Sequence, residues 1–225
     1  ALSNSTVQIG LVAICASVLF ANTTGFYNTA IGYRALLNNT TGWFNVANGY
    51  SALYSNTKGE NNTATGTSAL ANNETGNYNT AYGNSTLFNN ITGSHNVSIG
   101  TAALFNNTES SGLVAIGDSA LHANTTGLWN TSVGNKSLRS NTTGSSNTAT
   151  GFQSLYSNTS GNSNTANGVS ALFNNRYGDY NTAIGSASLR ENIVGSSNTA
   201  IGSESLYNNT TGQGNTASGR NALVN

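Results

Sequence analysis

The sequence contains no proline and no methionine, a single cysteine, and few charges. Each shortage excludes something. Without an initiating methionine the expectation is a processed product or a fragment. Cys15 has no partner for an intrachain disulfide. Charged residues make up 6% and cancel to zero net charge, so a phosphate-rich nucleic acid finds no electrostatic footprint. Long apolar runs are also missing. The longest stretch, Val7 to Ala21, falls short of the roughly 20 residues of a membrane-spanning helix. It resembles the apolar part of a signal peptide, yet it keeps the register of the rest of the chain and reads as the first coils, made more apolar to meet a partner. "LVAIC" has some likeness to a lipidation site, but the large Ile14 before Cys15 and the recurrence of "LVAI" at Leu113 argue against one. Apolar residues still amount to 36%, which with zero net charge argues against disorder.

What is present is a repeat. With Asn28 as position 1, the chain returns to the same pattern every 17 residues from Leu11 to Asn225, without insertion or deletion. Position 9 is leucine in every unit: Leu19, Leu36, Leu53, Leu70, Leu87, Leu104, Leu121, Leu138, Leu155, Leu172, Leu189, Leu206 and Leu223. Position 12 is asparagine from Asn22 to Asn209, position 3 is alanine or serine, and positions 5 and 15 are glycine except at Cys15 and Ser110. A unit this short cannot hold the helix pair of the known helical repeats, which needs roughly 30 residues or more. Glycine at two fixed places opposes helix as well.

The spacing predicts an all-β fold: one parallel β-solenoid domain over 1–225, of about 13 coils, each with two short strands. The first strand covers positions 1 to 5 ("NTAIG") and the second positions 7 to 10 ("RALL", "SALY"), with "NNTTG" as a turn. Coils about 4.8 Å apart would make a rod roughly 60 Å long. An insertion would flip side chains to the wrong face, which accounts for the unbroken register. Positions 3 and 9 are assigned to the core. Positions 2 and 4 stay open between inside and outside, and the frequent aromatics at position 10 (Phe20, Tyr54, Phe88, Phe105, Tyr156, Phe173, Tyr207) suit a partly exposed surface.

"NTAIG", "GLVAIG" and "NVSIG", each followed by a small residue and leucine, resemble the head repeats of YadA-type trimeric autotransporter adhesins. They resemble still more closely the tandem "NTAIGYxAL" arrays of phage tail-fibre-like proteins. The resemblance covers essentially the whole chain as a short, degenerate repeat. It implies a left-handed parallel β-roll, commonly trimeric, that serves as a rod or adhesive surface outside the cell. It also implies that positions 2 and 4 face inward. The coil here is longer than in those heads, and none of the 225 residues reads as an anchor, stalk or chaperone domain.

No constellation for catalysis or metal binding emerges. His95 and His122 fall in different columns, and the carboxylates are scattered so that no pair recurs for acid–base work. "GTSAL" and "GDSAL" lack the glycine of a nucleophile elbow, and no glycine-rich phosphate loop occurs. The chain therefore reads as non-enzymatic, without cofactor or metal. One pattern can carry covalent chemistry, the N-glycosylation sequon. Position 12 offers it at Asn22, Asn39, Asn73, Asn90, Asn124, Asn141, Asn158 and Asn209, with further acceptors at Asn4, Asn38, Asn61, Asn84, Asn106, Asn130 and Asn208. Yet asparagine persists at Asn56, Asn107, Asn175 and Asn192, where the sequon is lost. A structural cause, stacked amides or a left-handed turn, accounts for that persistence.

The leading expectation is an extracellular structural protein, a fibre or filament subunit whose partners are copies of itself, stacked end to end or side by side as a trimer. No distinct cap sequence is visible at either end, where open strand edges would otherwise need one. The alternative is an adhesin or tail-fibre module that binds a surface glycan or receptor through its repeated face. Ice binding by the threonines of position 2 is a weaker expectation, because Val12, Val46, Val97 and Val114 interrupt the column.

Overall fold

The structure, a computed structural model, describes residues 9–224. Ala1, Leu2, Asn4, Val7 and Asn225 lie outside the described residues. The chain divides into two compact units, residues 1–112 and 113–225. Both are β-solenoids with 17-residue coils. In the first unit, three-residue strands β1 (Val12–Ile14), β2 (Thr29–Ile31), β3 (Val46–Asn48), β4 (Thr63–Thr65), β5 (Thr80–Tyr82) and β6 (Val97–Ile99) pair in parallel, each with the next. The second repeats this with β7 (Val114–Ile116), β8 (Thr131–Val133), β9 (Thr148–Thr150), β10 (Thr165–Asn167), β11 (Thr182–Ile184), β12 (Thr199–Ile201) and β13 (Thr216–Ser218). Register is one whole unit throughout, as in Ala30↔Ala47 and Ala166↔Ala183. Among the described residues no helix is long and apolar enough to cross a membrane.

Each strand shows one middle side chain to the interior. Ala30, Ala47, Ala149 and Ala166 are fully buried at position 3, beside the leucines of position 9, from Leu19 to Leu189. Small residues of position 8, such as Ala35, Ala52, Ser154 and Ser188, complete the floor. Positions 2 and 4 point out: Val46, Tyr82 and Ile201 are exposed. In this they differ from the heads that the repeat resembles, where the matching residues face inward.

The expected second strand does not form; each coil has one. Positions 7 to 10 are turn, because positions 7 and 9 take left-handed backbone, for example Ser51 (φ 53°), Leu53 (φ 51°), Lys136 (φ 57°) and Leu138 (φ 46°). Position 17 is left-handed too, as at Tyr78 (φ 56°) and Trp129 (φ 55°). A β-branched side chain is a true outlier in that region. Accordingly no valine, isoleucine or threonine stands at positions 7, 9 or 17, although they dominate positions 2 and 13. This explains why the core residue is always leucine and never its isomer.

The turns still hydrogen-bond to neighbouring coils. Leu36 N donates to Ala52 O (3.0 Å), Asn38 N to Tyr54 O (3.1 Å), and Thr40, Thr41 and Gly42 all donate to Thr57 O. Pairing therefore runs around the whole coil and not only along the strand, so an insertion anywhere would break it. Glycine at position 5 meets the tightest demand. At Gly66 (φ 130°) an added Cβ would lie 2.4 Å from Gly83 O, a clash on top of an unfavourable conformation.

Candidate functional site

The most distinctive chemistry in the coil is two columns of buried asparagines. At position 12, Asn39 Nδ2 donates to Asn22 Oδ1 (2.8 Å) and Asn56 Nδ2 donates to Asn39 Oδ1 (2.8 Å). The second amide hydrogen goes to the carbonyl three residues on, as from Asn56 to Gly59 O (3.0 Å). At position 1, Asn28 Oδ1 accepts from Asn45 N (2.9 Å), while Asn45 Nδ2 donates to Gly59 O (2.8 Å). Wherever position 1 is asparagine, the position 15 carbonyl thus receives an amide from both columns and fills its two lone pairs, as Gly42 O does from Asn28 and Asn39. Gly127 O, whose coil has Leu113 at position 1, receives only that of Asn124 among the described residues. Among the described residues no buried side-chain nitrogen or oxygen lacks a partner. Glycine at position 15 is what brings the carbonyl so close. A Cβ on Gly144 would lie 2.4 Å from Gly161 O and 2.5 Å from Asn141 Oδ1.

This geometry bears on the sequons. Asn22, Asn39, Asn73, Asn90, Asn124, Asn141 and Asn158 are fully buried, and Asn209 is half-buried with Nδ2 bonded to Asn192 Oδ1 (2.9 Å). From Asn39 onward Nδ2 has both hydrogens engaged wherever the pair of bonds is described, as at Asn73, Asn90, Asn141 and Asn158. A sugar on that nitrogen would require the coil to open. Among the other acceptors, Asn130 is buried too, Asn38, Asn61 and Asn106 are half-buried, and Asn84 and Asn208 are exposed.

Outside, like side chains stack from coil to coil. At position 10, Phe88 and Phe105 stack with centroids 5.2 Å apart, as do Tyr156 and Phe173 at 5.1 Å. Arg190 lies over Phe173 (5.1 Å) and Tyr207 (5.8 Å) and pairs with Glu191. At positions 16 and 17, Tyr27 stacks on Phe44 (5.0 Å) beside Phe26 and Trp43.

The residues weighed for catalysis stay apart. His95 stacks on Tyr78 (5.0 Å). His122 is held below its ordinary pKa, by burial first and then by Arg139, with Asp118 opposing. Among the described residues no three histidines, cysteines or carboxylates gather as metal ligands. Cys15 is exposed, in register at position 5. The position 1 ladder and the buried position 8 column were not recognised in the sequence, although asparagine at position 1 recurs from Asn28 to Asn215 with one exception, Leu113. Comparison of the chain with protein-family models, with curated proteins and with solved structures returns no match.

Proposed function

We propose that the protein is a non-enzymatic structural element, a fibre subunit outside the cell that assembles with copies of itself. The supporting observation is the equivalence of the coils. Within each unit, one coil offers the next the same backbone and amide groups that the coil before offered it. Any exposed coil edge is therefore complementary to the opposite edge of an identical chain, at the same ~4.8 Å spacing. The outward positions 2 and 4 carry no charge in any coil, so like-charge repulsion does not oppose side-by-side association either. The extracellular setting rests on the resemblance to adhesin heads and tail fibres.

Negative-stain microscopy with light scattering across a hundredfold concentration series tests this reading. Filaments that lengthen with concentration are expected. Monodisperse particles of constant size throughout would refute self-assembly.

A further inference from the structure

We propose that the first unit carries a slot for one acidic pyranose ring, where the position 10 ladder of rings is missing a rung. The column runs Tyr54, Ala71, Phe88, Phe105 through successive coils. Phe88 and Phe105 stack at 5.2 Å and nearly parallel. Ala71 brings only a methyl group, and a cavity of about 210 Å³ opens over it between Tyr54 and Phe88. Ala71 lies at its floor with 5% exposure, whereas the neighbouring core alanines Ala64, Ala69 and Ala81 have none.

The width suits one flat group. Tyr54 and Phe88 belong to coils two steps apart, roughly 9.6 Å by the usual strand spacing. A ring midway would lie ~4.8 Å from each, inside the 4.5–7 Å range of favourable ring pairs. The second unit shows the same construction filled. There the flat guanidinium of Arg190 occupies the middle rung between Phe173 and Tyr207. The volume lies below the roughly 300–1,000 Å³ of sites for drug-sized ligands, which limits the occupant to a single ring.

The rim selects its chemistry. Arg34 also lines the cavity, beside the Tyr33 ring at 5.0 Å, and has no carboxylate partner among the described residues. No acidic residue lines the slot. A second cation is therefore repelled, and a carboxylate gains a charge-assisted contact. Ser51, Ser68 and Asn72 complete the rim. Among the described residues neither serine hydroxyl makes a side-chain hydrogen bond, and Asn72 spends only its Nδ2, on Asn89. Uncommitted hydroxyl and amide groups around an apolar sandwich match a ring that bears hydroxyls of its own. A uronic acid residue of a glycan combines flat C–H faces, hydroxyls and a carboxylate.

The proposal goes beyond self-assembly, and its test uses dispersed protein, so either can fail alone. Trigalacturonate, galactotriose and benzoate are titrated into the full chain by calorimetry or saturation-transfer NMR. Trigalacturonate is expected to bind with an affinity on the order of millimolar, as suits one ring in a shallow site. Ala71→Phe, which restores the missing rung, weakens it at least about tenfold while the melting temperature holds or rises. Should that variant fail to fold, Tyr54→Ala and Phe88→Ala together serve instead. Arg34→Gln reduces the preference for trigalacturonate over galactotriose. Binding unaffected by filling the slot, equal binding of the two sugars, or binding of benzoate alone would each overturn the proposal.

Discussion

Replacing Asn158 by alanine tests whether the amide ladder holds the solenoid together. Asn158 Nδ2 donates to Asn141 Oδ1 (2.7 Å) and Gly161 O (3.0 Å), and Asn158 Oδ1 accepts from Asn175 Nδ2 (3.0 Å). The loss is not three bonds' worth. Gly161 O keeps a donor in Asn147 Nδ2 (2.8 Å), and Asn175 Nδ2 keeps Gly178 O (3.0 Å). Two buried groups are orphaned, Asn141 Oδ1 and one hydrogen of Asn175. At about 1–3 kcal/mol each, the expected loss is about 2–6 kcal/mol, a large part of an ordinary domain's stability. Asn158→Leu, which restores bulk but not hydrogen bonds, should lose a similar amount. The control is Ser157→Ala one residue earlier, half-buried and, among the described residues, without a side-chain hydrogen bond. Urea denaturation followed by circular dichroism gives the difference, and hydrogen exchange localises it to the flanking coils. A cost for Asn158→Ala within about 0.5 kcal/mol of Ser157→Ala would refute the ladder as a source of stability.

The left-handed leucines predict an inversion of the usual core hierarchy: Leu155→Met costs under about 1.5 kcal/mol, but Leu155→Ile about 3 kcal/mol, because φ is 49° there; equal melting temperatures for the two would remove the backbone argument. His122 is favoured neutral in the folded chain, so the unfolded state binds more protons below the ordinary histidine pKa. Stability should then fall as pH drops from 7 towards 5, and His122→Gln should flatten that slope in thermal melts. If the chain passes through a glycosylating secretory route, peptide mapping should find sugar at Asn84 and Asn208 and none at Asn158, and an intact mass of 23.0 kDa would mean no modification at all.

The period, the parallel pairing and the inward leucines were legible in the sequence because they obey a strict count. The second strand was misread for a physical reason. "SALY" at Ser51 to Tyr54 is a short run ending in an apolar and an aromatic residue between turns, as a strand would be, and the backbone pairs coil to coil as a strand does. What separates the two is the sign of φ at Ser51 and Leu53, and its only trace in sequence is the missing β-branched residues at positions 7, 9 and 17. Burial of the sequons had a similar trace, in the asparagines that outlast their sequons, such as Asn175. The slot at Ala71 depends on a single small residue in an otherwise bulky column. Repeat counting hides such a site, because it averages over the exceptions.

The position 12 amides also give the coil stack a sense of direction. Asn39 donates to Asn22, Asn56 to Asn39 and Asn73 to Asn56, and in the second unit Asn158 donates to Asn141 and Asn175 to Asn158, always towards the earlier coil. Dipoles aligned head to tail polarise one another, so each added amide strengthens those already present. Such a column has unlike ends: one presents N–H groups, the other oxygens. Two copies can continue it only when they point the same way, since a reversed copy would set donor against donor. A fibre propagated through this ladder would therefore be a vector, with two distinguishable tips and no twofold axis across any junction.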